Sequence, residues 1–303
     1  MSDRPPLRLG TCYFLPLRGN NYPLMNKNSK SGPSRPVGSG TLFAEHPVLT
    51  LETWTDAVAG PRAAARARSA AKYYTKTGRL RRFTRGLYVV VPPGGDPKRF
   101  LPDPYLVAAA LRPDAILSHH TALDLLGAAH SVFNRFSYFT AQPRRTLRLD
   151  GMEWPSVAHP TALVRANQVD FGVCKVDRLG TVLRVTGPER TLADGFATPR
   201  WVGGIAELVE SAAGFRDLDL DLLEAYLKLL DRQILYAAVG WFLERHPDVA
   251  DNTATVVRRL AGRAPRQPLY LERERRGGRL QRPWNIVVPA HLSLDVGFEG
   301  TPR

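Results

Sequence analysis

The sequence predicts an α+β fold, an N-terminal winged helix-turn-helix followed by a larger mixed α/β domain with a helical second half. Three observations carry this expectation. A helix, a turn, a second helix and a hairpin follow one another between Thr50 and Val91. A break of Pro92-Pro93-Gly94-Gly95-Asp96-Pro97 then ends that pattern with residues that continue neither a helix nor a central strand. Beyond it, β-rich pieces come first and amphipathic helices later, the order of an α+β domain.

In the first part, Thr50 is expected to cap a helix that runs to about Ala59, with Glu52 and Asp56 in its early turns and Gly60 as its stop. Pro61 suits the first position of a second helix, where its missing N–H costs nothing, and the Ala-rich stretch carries that helix to about Thr77. Gly78 closes it. Leu80 to Phe83 and Leu87 to Val91 read as strands joined through Thr84-Arg85-Gly86, where glycine is available for a turn of positive φ. The expected limits are a DNA-binding unit over residues 41–93 and a second domain over 99–303. Residues 1–40 mix proline, asparagine, serine and lysine, and read as a disordered arm or as residues upstream of the native start.

The 303 residues carry a formal charge of +14, which favours a polyanionic partner, because Lys and Arg that neutralise phosphates release counterions. No apolar run approaches the roughly 20 residues needed to span a bilayer, so a cytoplasmic location is the default. Cys12 and Cys174 stand far apart and read as free thiols. The charge is concentrated. Arg62, Arg66, Arg68, Lys72 and Lys76 fall within an arc of about 160° on the second helix, opposite Ala63, Ala67, Ala70, Ala71 and Tyr74. Arg79, Arg81, Arg82 and Arg85 continue it into the hairpin, and no Asp or Glu interrupts residues 62–85. A solvated basic face that binds nothing is the plain alternative. The helix-turn-helix layout and the basic chain as a whole favour DNA instead. RNA remains open, and a membrane surface fits poorly because the non-basic face lacks Trp, Phe and Leu anchors.

In the second part, Pro104 to Ala110 is read as a helix opened by Asp103, Ala115 to Leu117 as a strand, and Ser118 as the cap of a helix closed by Gly127. Strands are expected at 136–140, 145–149, 172–176 and 181–185. Helices follow at 188–196, 202–213, 220–230, 233–244 and 253–260.

Several ordered motifs resemble the AbiEi-type antitoxins of bacterial type IV toxin–antitoxin systems. They are Arg85-Gly86-Leu87-Tyr88; Ser118-His119-His120-Thr121-Ala122-Leu123 with Gly127; and Glu189-Arg190-Thr191-Leu192-Ala193-Asp194 with Pro199 and Gly203-Gly204. Leu269-Tyr270-Leu271, Gly277-Gly278 and Pro283 to Val288 are similar to the family's closing segment, so the likeness extends from about Leu49 to Leu292. The resemblance implies a transcriptional autorepressor that binds repeated operator sites in its own promoter. It also implies a C-terminal domain that counteracts a nucleotidyltransferase-like toxin without need of a stable complex. A second positive face is implied too, with Arg144, Arg145 and Arg148, or Arg273, Arg275, Arg276 and Arg279, as candidates.

No enzyme site, cofactor or metal is expected. Adjacent His119 and His120 point about 100° apart on a helix and have no third ligand at a persuasive spacing. Glu189, Arg190 and Asp194 fit the start of a helix, where acids complement the dipole and Arg190 reaches Asp194 at i, i+4. Two rivals remain. One is a nuclease using Asp217, Asp219, Asp221 and Glu224, and the other is a purely protein-binding antitoxin with an idle wing.

Overall fold

The computed structural model describes residues 39–272 and 277–292. It is a mixed α+β fold with several small sheets. The arm expected over 1–40 lies outside the described residues up to position 38. Ser39 and Gly40 open a helix, α1 (Ser39–Glu45), that the sequence reading lacks. Next come β1 (Val48–Thr50), α2 (Leu51–Val58), α3 (Ala63–Lys76), β2 (Leu80–Thr84) and β3 (Leu87–Val90). Thr50 caps α2 as expected, its hydroxyl accepting the Thr53 N–H at 3.0 Å. Pro61 does not start α3. Ala59, Gly60 and Arg62 all adopt positive φ (45°, 79° and 59°), so residues 59–62 reverse the chain onto α2 and the helix begins at Ala63.

The three strands form an antiparallel sheet ordered β1-β3-β2. Alternation along β3 gives the hairpin two buried faces. Val90, with Tyr88 half-buried beside it, packs under α1, α2 and α3 with Phe43, Trp54, Ala67, Ala71 and Leu80. Leu87 and Val89, joined by Phe83 of β2, pack instead against Tyr105, Leu106 and Trp154 of the following region. The hairpin is therefore shared between two cores.

That region begins with α4 (Pro104–Ala110), capped by Asp103 through the Tyr105 and Leu106 N–H groups. It continues through β4 (Ile116–Leu117), α5 (His120–Leu125), β5 (Tyr138–Thr140), β6 (Leu147–Leu149), β7 (Met152–Trp154), β8 (Ser156–Ala158), α6 (Thr161–Arg165), β9 (Val173–Arg178) and β10 (Thr181–Thr186). A five-stranded mixed sheet is ordered β8-β5-β4-β10-β9, and β6 pairs with β7 as a separate hairpin. Ser118 is not the cap of α5. His119 takes that position at φ 57°, and the Ser118 hydroxyl faces its ring instead. Gly127 closes the helix at φ 71°, as expected.

Five helices form the second half: α7 (Pro188–Ala197), α8 (Ile205–Ala212), α9 (Leu220–Leu230), α10 (Gln233–Arg245) and α11 (Thr253–Ala261). The helices do not end the fold. β11 (Leu269–Tyr270), β12 (Arg279–Gln281) and β13 (Ile286–Val288) make a last sheet ordered β11-β13-β12. It is anchored by Trp284, which is buried against α10 and donates its indole N–H to Glu244 at 2.7 Å. A Cβ at Gly240 would lie 2.1 Å from that indole. Gly240→Ala is expected to cost about 2 kcal/mol through overpacking, read as a lower melting temperature in calorimetry. An unchanged melting temperature would mean that the sheet is not seated on α10.

Candidate nucleic-acid interface

The α3 helix lies with Ala67 and Ala71 buried against α2, while Ala63, Ala70 and Tyr74 are half-buried. Small side chains on this face let the two helices approach closely, and Tyr74 fills the remaining gap edge-on to Phe43 at 4.9 Å. The opposite face is solvent. Arg66, Arg68, Lys72 and Lys76 are exposed along it, and exposed Arg62 stands at its N-terminus in the left-handed conformation. Arg82 and Arg85 are exposed on the hairpin, with Arg85 beside Gly86 at φ 81° in the turn. Tyr88 follows on β3, opposite Leu49 of β1.

Two of the nine cations turn inward. Arg79 donates to the Val91 carbonyl and stands over the Phe43 ring at 6.0 Å. Arg81 donates to the Phe100 carbonyl at 2.9 Å and pairs with Asp150 at 2.7 Å. Both tie the hairpin to its surroundings. The outward basic surface is thus Arg62, Arg66, Arg68, Lys72, Lys76, Arg82 and Arg85. Reading along the chain missed Ala65, Ser69 and Tyr73, which share the exposed face of α3. The helical period that selected the cations also selects these positions.

Of the second positive group, Arg144, Arg145 and Arg148 are exposed, and Arg148 pairs with Glu153 at 2.7 Å. Arg279 is exposed on β12, whereas Arg273, Arg275 and Arg276 lie outside the described residues.

The remaining motif residues converge on a buried polar centre. Arg190 is fully buried on α7. It reaches Asp194 at 3.2 Å and donates to the Val169 and Phe171 carbonyls, both at 2.8 Å. Asp194 also accepts the Tyr226 hydroxyl at 2.6 Å. Burial pushes the Asp194 carboxyl above its ordinary range, against the pull of Arg190 and the hydroxyl, and pushes Tyr226 well up too. Glu189 accepts the Asp219 N–H at 2.9 Å, and burial raises its carboxyl as well. Thr191 donates to the Thr186 carbonyl at 3.0 Å, and Ala122 is buried on α5. His119 links Ser118 to Thr198 by bonds of 2.9 and 3.0 Å. Burial, with Arg190 and Arg200 nearby, pushes its pKa down to about 3.

Gly203, at φ 89°, lets the Phe133 ring approach to 2.7 Å of where a Cβ would stand, and Gly204, at φ 106°, leads into α8. These residues pack and brace the fold.

Among the described residues no group of three or more His, Cys, Asp or Glu is arranged to hold a metal ion, and no helix is long and apolar enough to cross a membrane. Two of the four acids of the nuclease rival have structural partners. Asp219 caps α9 through the Leu222 N–H, and Glu224 pairs with Arg259 at 2.8 Å.

No family model matches the chain, and no curated protein matches it. The crystal structure of the Rv2827c protein from Mycobacterium tuberculosis is similar over 82% of this chain and 88% of its own, with a TM-score of 0.52 at 18% identity, a likeness of fold alone.

Proposed function

We propose that this protein binds DNA through a winged helix-turn-helix made of α2, α3 and the β2–β3 hairpin. In this reading it represses its own operon and serves as the cytoplasmic antitoxin of a type IV toxin–antitoxin system. One observation carries the DNA half. Seven exposed cations cover the outer face of α3 and the adjoining hairpin, in a stretch with no acid to neutralise them. A helix whose inner face is alanine stands clear enough to enter a groove about 12 Å wide. The antitoxin half rests on the ordered family-like motifs. Its partner is a nucleotidyltransferase-like toxin, with no stable complex required.

Charge reversal tests the reading in the full chain, since the hairpin's Phe83, Leu87 and Val89 would lose their cover in a truncated one. Arg66→Glu with Lys72→Glu should weaken binding to the protein's own promoter by at least a hundredfold. It should also flatten the salt dependence by at least about one unit of slope, because each lost phosphate contact removes roughly 0.9. Unchanged affinity and slope would remove the helix from the interface. Rescue of cells from the neighbouring toxin by this variant would assign neutralisation to the rest of the chain. Rescue together with no promoter binding by the native protein would favour the purely protein-binding antitoxin.

A further inference from the structure

The exposed face of α3 is not uniform, and its inner face fixes which side chains lead. Counting about 100° per residue, the direction opposite the whole inner face, buried Ala67 and Ala71 with half-buried Ala63, Ala64, Ala70 and Tyr74, is occupied, within about 40°, by Ala65, Ser69, Lys72 and Lys76. Arg66 and Arg68 stand about 80° to either side of that line. A helix roughly 10–12 Å across fills a major groove about 12 Å wide, so its leading line meets the base edges and its flanks meet the two sugar–phosphate walls.

Over residues 65–69 side-chain length follows the same division. The leading line carries a methyl at Ala65 and a single hydroxyl at Ser69, which let the backbone come close to the bases. The flanks carry two long guanidinium groups that reach outward. Lys76 sits in the last turn, where the axis leaves the groove. Recognition helices place their N-terminal residues deepest, which favours Ala65 and Ser69, and Lys72 follows about one turn after Ser69 on the same line.

The geometry points to a division of labour on α3, in which Ser69 and Lys72 select the base sequence and Arg66 and Arg68 grip phosphates on opposite strands. This rests on the DNA-binding reading above and adds to it which residues choose the operator. Lys72 recognises guanine, whose O6 and N7 accept from an ammonium group, and Ala65 suits an adjacent thymine methyl. Lys72 therefore moves from the phosphate-binding set to the base-reading set.

The experiment selects bound duplexes from a randomised DNA pool with the full-length protein and four variants, Ser69→Asn, Lys72→Gln, Arg66→Gln and Arg68→Gln. All four positions are exposed, so the substitutions leave the packed face untouched. Ser69→Asn and Lys72→Gln should each change the selected base at one position, with roughly ten- to a hundredfold weaker binding to the native sequence. Arg66→Gln and Arg68→Gln should keep the native consensus, bind every sequence more weakly, and each flatten the salt dependence by about one unit. An unchanged consensus for Ser69→Asn and Lys72→Gln, or a changed one for either arginine variant, overturns the assignment while DNA binding stands. If the native protein enriches no sequence and does not shift its own promoter, the DNA-binding reading falls and this assignment with it.

Discussion

Arg190→Met is expected to destabilise the fold by about 3–5 kcal/mol, the cost of breaking a buried ion pair from one side. The arginine is fully buried and satisfies three acceptors, the Asp194 carboxylate and the carbonyls of Val169 and Phe171. Methionine fills much of the volume but donates nothing. Asp194 keeps the Tyr226 hydroxyl and loses its counter-charge, so its carboxyl, already raised by burial, rises further. For a carboxyl raised in the folded state, stability is fully present below its unfolded pKa and falls as pH climbs through the folded one, so the variant should be weakest at neutral and alkaline pH. Adding Asp194→Leu removes the stranded charge and should recover a substantial part of the loss. Thermal unfolding followed by circular dichroism should show the single variant melting roughly 10 °C lower, with partial recovery in the double. A single variant within 2 °C of the native protein would show that this centre does not hold α7 to α9.

Thr50 and Asp103 were legible as caps because capping is a local bargain between one side chain and N–H groups two or three residues ahead. The amphipathic helices were legible for a similar reason. In α9 the apolar positions Leu220, Leu223 and Leu227 recur at the helical period and are buried. Among the strands, what escaped depends on distant chain. β1, β7 and β8 are three residues each, and β1 and β8 exist because Val48 meets Val89 and Ser156 meets Tyr138. No local pattern announces such pairings.

Arg81 looked like part of a basic run, and its neighbours in sequence gave no hint of Asp150, 69 residues away, which draws it inward. At the head of α5, serine's capping preference lost to backbone geometry, because His119 holds the positive φ that turns the chain into the helix. The basic face of α3 was readable because one helical period sorts its residues. The polar centre was readable only as the i, i+4 pair of Arg190 with Asp194. Its other partners, Tyr226, Val169 and Phe171, come from elsewhere in the chain.

Below pH 6.5 the protein should lose stability steeply, and His119 should account for the largest single share. Its hydrogen bonds identify the proton it carries. The Thr198 hydroxyl donates to the Asp194 carbonyl at 3.0 Å, so toward His119 it must accept, which puts the proton on Nε2. Nδ1 then accepts from the Ser118 hydroxyl at 2.9 Å. The neutral ring is therefore fully satisfied. A second proton would add a buried charge near Arg190 and would have to displace the Ser118 donor, which is why the pKa falls to about 3. An unfolded chain takes up that proton near pH 6.5, whereas the folded one refuses it until about pH 3. Stability is thus fully present above pH 6.5 and declines through this window by about 1.4 kcal/mol per pH unit for this one group.

His120, His159 and His246 are also held down chiefly by burial, and they add to the slope in the same direction. His119→Asn cannot take up the proton and retains a side chain able to meet Ser118 or Thr198. Denaturant unfolding at half-unit steps from pH 7 to pH 4.5 should show the variant less stable at neutral pH. Its slope below pH 6 should be shallower by about 1 kcal/mol per pH unit. Parallel slopes for the two proteins would mean that His119 is protonated in the fold, and the tautomer assigned by Thr198 would be wrong.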